Sequence, residues 1–254
     1  MVKEKQSPIR DKPLRQAGQS LREEINDLIE DRIQQYLLLA LFFVLLAGME
    51  WYSWLTEMPR MPVLYTIVAI FFIFLAVYKF VTTLRIIKPM KLGLDGERVV
   101  GEFLELFRED GARVFHDLIG DNFNVDHVLI CEQGVFVVET KTYSKPKDGR
   151  VVFDGKKILI DGYDSEAKLL IQARAEASWV KKILKDSTGK NVNVQPIIVF
   201  PGWFVETTAE GKKSDVTVLN PRLLKQHVGF MKSVLSKEDL MLIAYHLSRH
   251  IRMN

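Results

Sequence analysis

Three residues in the stretch "NVDHVLICEQGVFVVETK", positions 124–141, have types and spacing suited to catalysis: Asp126, Glu139 and Lys141. The rest of the stretch is dense in Val, Leu, Ile and Phe, so the charges gather at one end of two apolar strands. Side chains alternate along a strand, which gives Glu139 and Lys141 one face and sends Thr140 to the other. Asp126 joins them only if the loop around Glu132 and Gln133 holds an even number of residues; an odd loop turns it away. Two carboxylates opposed at the edge of an apolar sheet repel each other and lose hydration, which costs free energy unless a cation sits between them. Mg²⁺ (or Mn²⁺) meets that need: Mg²⁺ takes oxygen ligands, often only one or two of them protein carboxylates, and keeps waters that can act as nucleophiles. Lys141 would orient or help deprotonate such a water and offset charge on a phosphate in transit. The set suits metal-assisted phosphodiester hydrolysis. The plain alternative is a solvated strand end, where Glu and Lys two residues apart carry no function.

The elements that must hold these residues divide the chain sharply. Of 254 residues, 48% are hydrophobic and 26% charged, and the net charge is +3, too small to argue for nucleic acid on its own. Residues 1–13 are charged and hold two prolines, as a flexible tail does. Leu14, Leu21, Ile25, Leu28, Ile29 and Ile33 then fall at helical spacing, so 14–35 reads as an amphipathic helix that packs on a soluble domain or a membrane surface, with self-association as its other use. Two apolar runs follow, 36–55 and 62–84, each close to the roughly 20 residues a helix needs to cross a bilayer core. Lys and Arg crowd both flanks (Lys3, Lys5, Arg10, Lys12, Arg15, Arg22, Arg32 before; Arg85, Lys88, Lys91 after), and the short loop offers only Arg60. The positive-inside bias then puts both termini in the cytoplasm, with Trp51, Tyr52 and Trp54 at the outer interface and Lys79 reaching toward the inner one.

Beyond Lys91 the composition becomes that of a soluble domain, 92–254. A helix opens after Gly93 and Gly96 with Val99, Val100, Phe103, Leu104 and Phe107 inward, and strands follow at "ARVFHDL" and in the 124–141 pair. A hairpin turns at Asp154-Gly155. A long amphipathic helix covers "SEAKLLIQARAEASWVKKIL", and "VNVQPIIVFPG" and "DVTVLN" are strands before two closing helices. This order predicts an α/β sandwich around a mixed sheet. Cys131, the single cysteine, sits in an apolar run as a core residue. Lys145, Lys147 and Arg150, with Tyr143 among them, follow the catalytic set and would track a phosphate backbone or form a solvated loop. His246 and His250 have metal-compatible spacing but no third ligand. His127 should face away from Asp126, and Trp179 and Trp203 read as core.

From Gly93 to about Val228 the chain resembles the nuclease-related domain (NERD) family, which is similar in its core to the PD-(D/E)xK nucleases. The matching stretches are "GLDGERVV" with Glu97, "NVDHVLI" with Asp126, "GVFVVETK" with Glu139 and Lys141, and Gln172 in "LLIQARAEASWV". The resemblance implies that Asp126 and Glu139 ligate the metal, that Lys141 is the catalytic lysine, that Glu97 is a helix-borne acid near them, and that Gln172 supports them. Glu102, five residues past Glu97, cannot share its face on a helix and is left to solvent. The expected protein is an α/β, PD-(D/E)xK nuclease-like mixed sheet flanked by helices, preceded by an amphipathic helix and a two-helix transmembrane hairpin. It would cut nucleic acid, DNA rather than RNA, from the inner face of a plasma membrane. The alternative is a catalytically silent, membrane-tethered module that binds nucleic acid or a protein.

Overall fold

The computed structural model describes residues 13–56, 62–120, 123–165 and 168–253. The expectations for the tail, with Lys3, Lys5, Arg10 and Lys12, and for Arg60 lie outside these residues. The chain forms two compact units, one of Ser20–Leu92 and one of Gly93–Asn254 together with the residues before Ser20.

In the first unit α1 (Gln19–Ile29) passes through a π-helical stretch, Glu30–Gln34, into α2 (Gln35–Leu55), and α3 begins at Pro62. The first helix starts at Gln19 rather than Leu14, because Gly18 adopts a left-handed φ of +71° and the Gln19 side chain accepts the Gln16 N–H. Helices α2 and α3 run antiparallel: Phe43 stacks on Phe72 at 4.2 Å, Trp51 Nε1 donates to Thr66 Oγ1 at 2.8 Å, and the Lys79 ammonium lies over the Tyr36 ring. Within 36–55 and 63–84 the buried positions are small and seven residues apart, Ala40 and Ala47 on one helix and Ala69, Ala76 and Thr83 on the other, while Leu45, Phe71 and Phe74 point outward. A water-soluble pair would show the reverse, whereas helices in lipid gain nothing by hiding large side chains and meet through small ones. Both helices are long and apolar enough to cross a membrane.

Helix α3 extends from Pro62 to Glu105 as one element, where two were expected. Pro89 removes a single backbone donor and is carried inside the helix. Gly96 does not open a helix but lies within this one, against Thr142, whose side chain occupies the space a β-carbon would need. Val100 and Leu104 form its buried stripe, Phe107 in the turn that follows continues it, and Val99, expected inward, is exposed because it falls one residue out of phase.

The second unit continues with β1 (Arg113–Ile119), β2 (Asn124–Cys131), β3 (Gly134–Thr140), β4 (Arg150–Phe153), β5 (Ile158–Ile160), β6 (Tyr163–Asp164), α4 (Lys168–Thr188), β7 (Val194–Val199), β8 (Phe204–Thr207), β9 (Thr217–Leu219), α5 (Leu224–Gly229) and α6 (Lys237–Met253). Five strands make a mixed sheet in the order β1-β2-β3-β7-β9, parallel from β3 onward because a crossover through α4 separates β3 from β7. One face packs Val128, Ile130, Val135 and Val137 against Ala177, Val180, Leu184 and Ile243 of α4 and α6. The other packs Leu129, Phe136 and Val138 against Val100, Leu104 and Val228 of α3 and α5, which completes an α/β/α sandwich. A second sheet, β6-β5-β4-β8, closes a third cluster of Val151, Phe153, Phe200 and Trp203. Trp203 and Cys131 are core, as expected.

Candidate active site

The turn between β2 and β3 contains two residues, Glu132 and Gln133, since Cys131 pairs with Gly134. The loop is even. The ladder closes at His127 opposite Val138, and one step further Asp126 stands across from Glu139. There the Asp126 carboxylate itself accepts the Thr140 N–H at 2.7 Å. The neighbouring ladder lapses at the same level: His116 pairs with His127 and Leu118 with Val125, but the intervening Asp117 has a left-handed φ of +52°. Asp117, Asp126 and Glu139 therefore follow one another across three adjacent strands. Asp117 is buried and paired with Arg15, whose Nε lies 2.6 Å from its Oδ2.

Lys141 leaves the end of β3, its N–H donating to Val199 O at 2.9 Å. Its ammonium donates to Glu139 Oε1 at 2.6 Å and to Gln172 Oε1 at 3.1 Å. The Gln172 amide in turn donates from Nε2 to Glu139 Oε1 and to Glu176 Oε1, both at 2.8 Å. Residues 172 and 176 are one helical turn apart on α4 and so face the sheet together. The structure thus brings Asp126, Glu139, Lys141 and Gln172 to one end of the sheet, with Glu97 buried nearby on α3.

The electrostatics follow from crowding five carboxyls around one lysine. Burial lifts the Glu97 carboxyl to about 7, with the charges of Asp117 and Glu139 adding to it. Asp126 is raised well above the usual carboxylate range by removal from water, then by Glu139, Glu97 and Glu176. Burial also lifts Glu176 to about 9, helped by the Glu139 charge. Oε2 of Glu139 and Oε2 of Glu176 are both buried with no donor reaching them. A proton on Glu176 supplies one, and this contact also raises its pKa. For Lys141 burial works toward the neutral amine, but the charge and hydrogen bond of Glu139 outweigh it and the pKa rises.

Among the other candidates, Glu102 is exposed. His127 is fully buried and faces away from the carboxylates, its ring contacting His116 at 2.9 Å and Thr140 Oγ1 at 3.4 Å. Lys145, Lys147 and Arg150 are exposed in and after the loop that leaves Lys141, and Lys145 donates to Gly202 O. The ring of His250 lies edge-on to Trp179, and among the described residues no three or more His, Cys, Asp or Glu side chains form a ready-made metal cluster. Sequence reasoning missed Asp117 and Glu176. For Glu176 a signal existed: it interrupts the apolar stripe Ala173, Ala177, Val180 at a core-facing position, four residues after Gln172.

A family model described as NERD, nuclease-related domain, matches residues 92–201. No curated protein and no solved structure matches the chain. The matched span contains Glu97, Asp126, Glu139, Lys141, Gln172 and Glu176, so the buried carboxyl cluster and its lysine lie within the segment, 92–201, that is similar to a nuclease-related domain.

Proposed function

We propose that this protein is a metal-dependent nuclease that hydrolyses phosphodiester bonds of nucleic acid, DNA rather than RNA, at the cytoplasmic face of a membrane that α2 and α3 cross twice. The observation that carries this reading is the linked set of Glu139, Lys141 and Gln172 across from Asp126, inside a nuclease-related domain. The donor chemistry fits a hard divalent cation: the carboxylates of Asp126 and Glu139 offer only oxygen, the buried Oε2 of Glu139 meeting no donor but the proton of Glu176, and Mg²⁺ usually takes only one or two protein carboxylates. Asp126 and Glu139 would hold Mg²⁺ or Mn²⁺, which when bound polarises a phosphoryl oxygen and makes water a better nucleophile.

Lys141 then acts as a fixed positive charge. Its raised pKa keeps it an ammonium at neutral pH, so it stabilises charge growing on the phosphate and is unsuited to taking a proton from water. Gln172 holds it in place from one side and Glu139 from the other. Glu97, titrating near neutrality, is suited to proton exchange at the edge of the site. Lys145, Lys147 and Arg150 would carry the phosphate backbone.

The test uses the full-length protein in detergent, with plasmid and single-stranded substrates and added Mg²⁺ or Mn²⁺. Glu139→Ala and Lys141→Ala should each lower cleavage by about a hundredfold or more. A wild type that cuts no better than these variants ends the enzyme reading and leaves a binding module.

A further inference from the structure

Two segments far apart in sequence run side by side away from Lys141. The Lys141 N–H meets Val199 O; the Tyr143 ring stacks on Phe200 with centroids 6.2 Å apart; Trp203 Nε1 donates to Tyr143 O at 3.4 Å; Lys145 Nζ donates to Gly202 O at 3.1 Å; and Arg150 pairs with Phe204 across β4 and β8. Together, 141–150 and 199–204 form a continuous track from the candidate catalytic lysine to the outer face of the second sheet. Val151 and Phe153 fill the inner face, so Arg150 and its partner Phe204 share the outer one.

The track ends on an exposed aromatic residue. Trp203 is 2% exposed and anchors the loop in the core, yet the adjoining Phe204 is 65% exposed, next to a solvated guanidinium. An aromatic ring left in water contributes nothing to the core, and its face is free to stack. Segment 141–150 carries Lys141, Lys145, Lys147 and Arg150 against one carboxylate, Asp148; on the outer face of β8, Glu206 is the acidic neighbour of Phe204. Cations along a track and an exposed ring at its end match a polyanion that also has flat apolar faces. In a duplex those faces are hidden in the base stack; in a single strand they are open.

Resting on the nuclease reading, we infer that this track binds single-stranded nucleic acid, with Phe204 stacking an unpaired base and Lys145, Lys147 and Arg150 neutralising the phosphates between it and Lys141. Phe204 lies five positions after Val199, at most about 18 Å of extended chain, so the strand engaged is a few nucleotides long. The site would then take unpaired substrate, or the frayed end of a duplex.

The experiment measures binding of the full-length protein in detergent, without added metal and at one fixed salt concentration, to a labelled oligothymidylate and to a labelled hairpin duplex by fluorescence anisotropy. Wild type should prefer the single strand. Phe204→Ala should weaken that binding about tenfold and leave the duplex unaffected, and Phe204→Trp should restore it. The inference is overturned if Phe204→Ala binds the oligothymidylate like wild type, if it weakens both probes equally, or if wild type binds neither or prefers the duplex. Cleavage with binding indifferent to Phe204 would remove the track alone; Phe204-dependent binding without metal-dependent cleavage would remove the nuclease and keep the track.

Discussion

At position 176 burial, then the Glu139 charge, pushes the carboxyl up to about 9, so it holds its proton at neutral pH. It is 1% exposed, accepts the Gln172 amide, and sits beside an ionisable neighbour that the same amide and Lys141 already claim. Glu176→Gln keeps a neutral acceptor of the same shape and should change stability by less than about 1 kcal/mol. Glu176→Ala strands a buried amide proton and should cost about 1–3 kcal/mol in thermal or denaturant unfolding. The pH dependence has a definite sign. The folded state holds protons on Glu97 up to about 7 and on Glu176 up to about 9 that the unfolded chain releases near 4.5. Stability therefore falls as pH rises from the unfolded value through those folded values. Melting of wild type between about pH 5 and pH 9 should show the decline, and Glu176→Gln should flatten its upper part; a profile unchanged by that substitution would mean that Glu176 ionises normally.

Among the elements, the segment of α3 around Gly96 controls how closely the chain after Lys141 can approach. Thr142 lies where a β-carbon would stand, so Gly96→Ala must push the two apart. That should cost about 1–3 kcal/mol of stability and lower activity by moving Lys141, a loss that unfolding curves and cleavage rates would read together. The strands were legible because β-branched runs and the Asp154-Gly155 turn announce themselves, and α4 because its apolar stripe keeps helical period. Asp126, Glu139 and Lys141 were legible as types at a spacing; their convergence awaited the two-residue turn. Strand β8 was not legible, being four residues long with alternating but weakly apolar character, and β6 has only two. Glu176 was marked only by its place in the apolar stripe of α4, and the left-handed backbone of Asp117 leaves no trace in sequence. The continuity of α3 was hidden by Gly93 and Gly96, which resemble a helix start, although the helix runs through both and Pro89 forfeits only one bond.

For the whole molecule, the outward Leu and Phe of α2 and α3 mean that the intact chain should stay in the membrane pellet after alkaline carbonate extraction, and should need detergent to remain dispersed. Recovery in the soluble fraction would contradict the spanning reading. The proposed orientation, with both termini cytoplasmic, predicts that protease added to intact cells spares the nuclease-related segment and that permeabilised cells lose it; loss in intact cells would overturn that orientation. Self-association through residues 14–35 is a separate proposal, settled by the mass of the detergent-solubilised protein.

The placement of β3 and β7 as parallel neighbours also bears on the order of assembly. Asp126 and Glu139 are joined by a two-residue turn, and hairpins of this kind close within microseconds. Gln172, Glu176 and Val199 arrive only when the long crossover through the second sheet and α4 has folded back, a non-local step that is slower. Asp126, Glu139 and Lys141 are therefore brought together by local contacts, whereas the amide that clasps them depends on the non-local crossover.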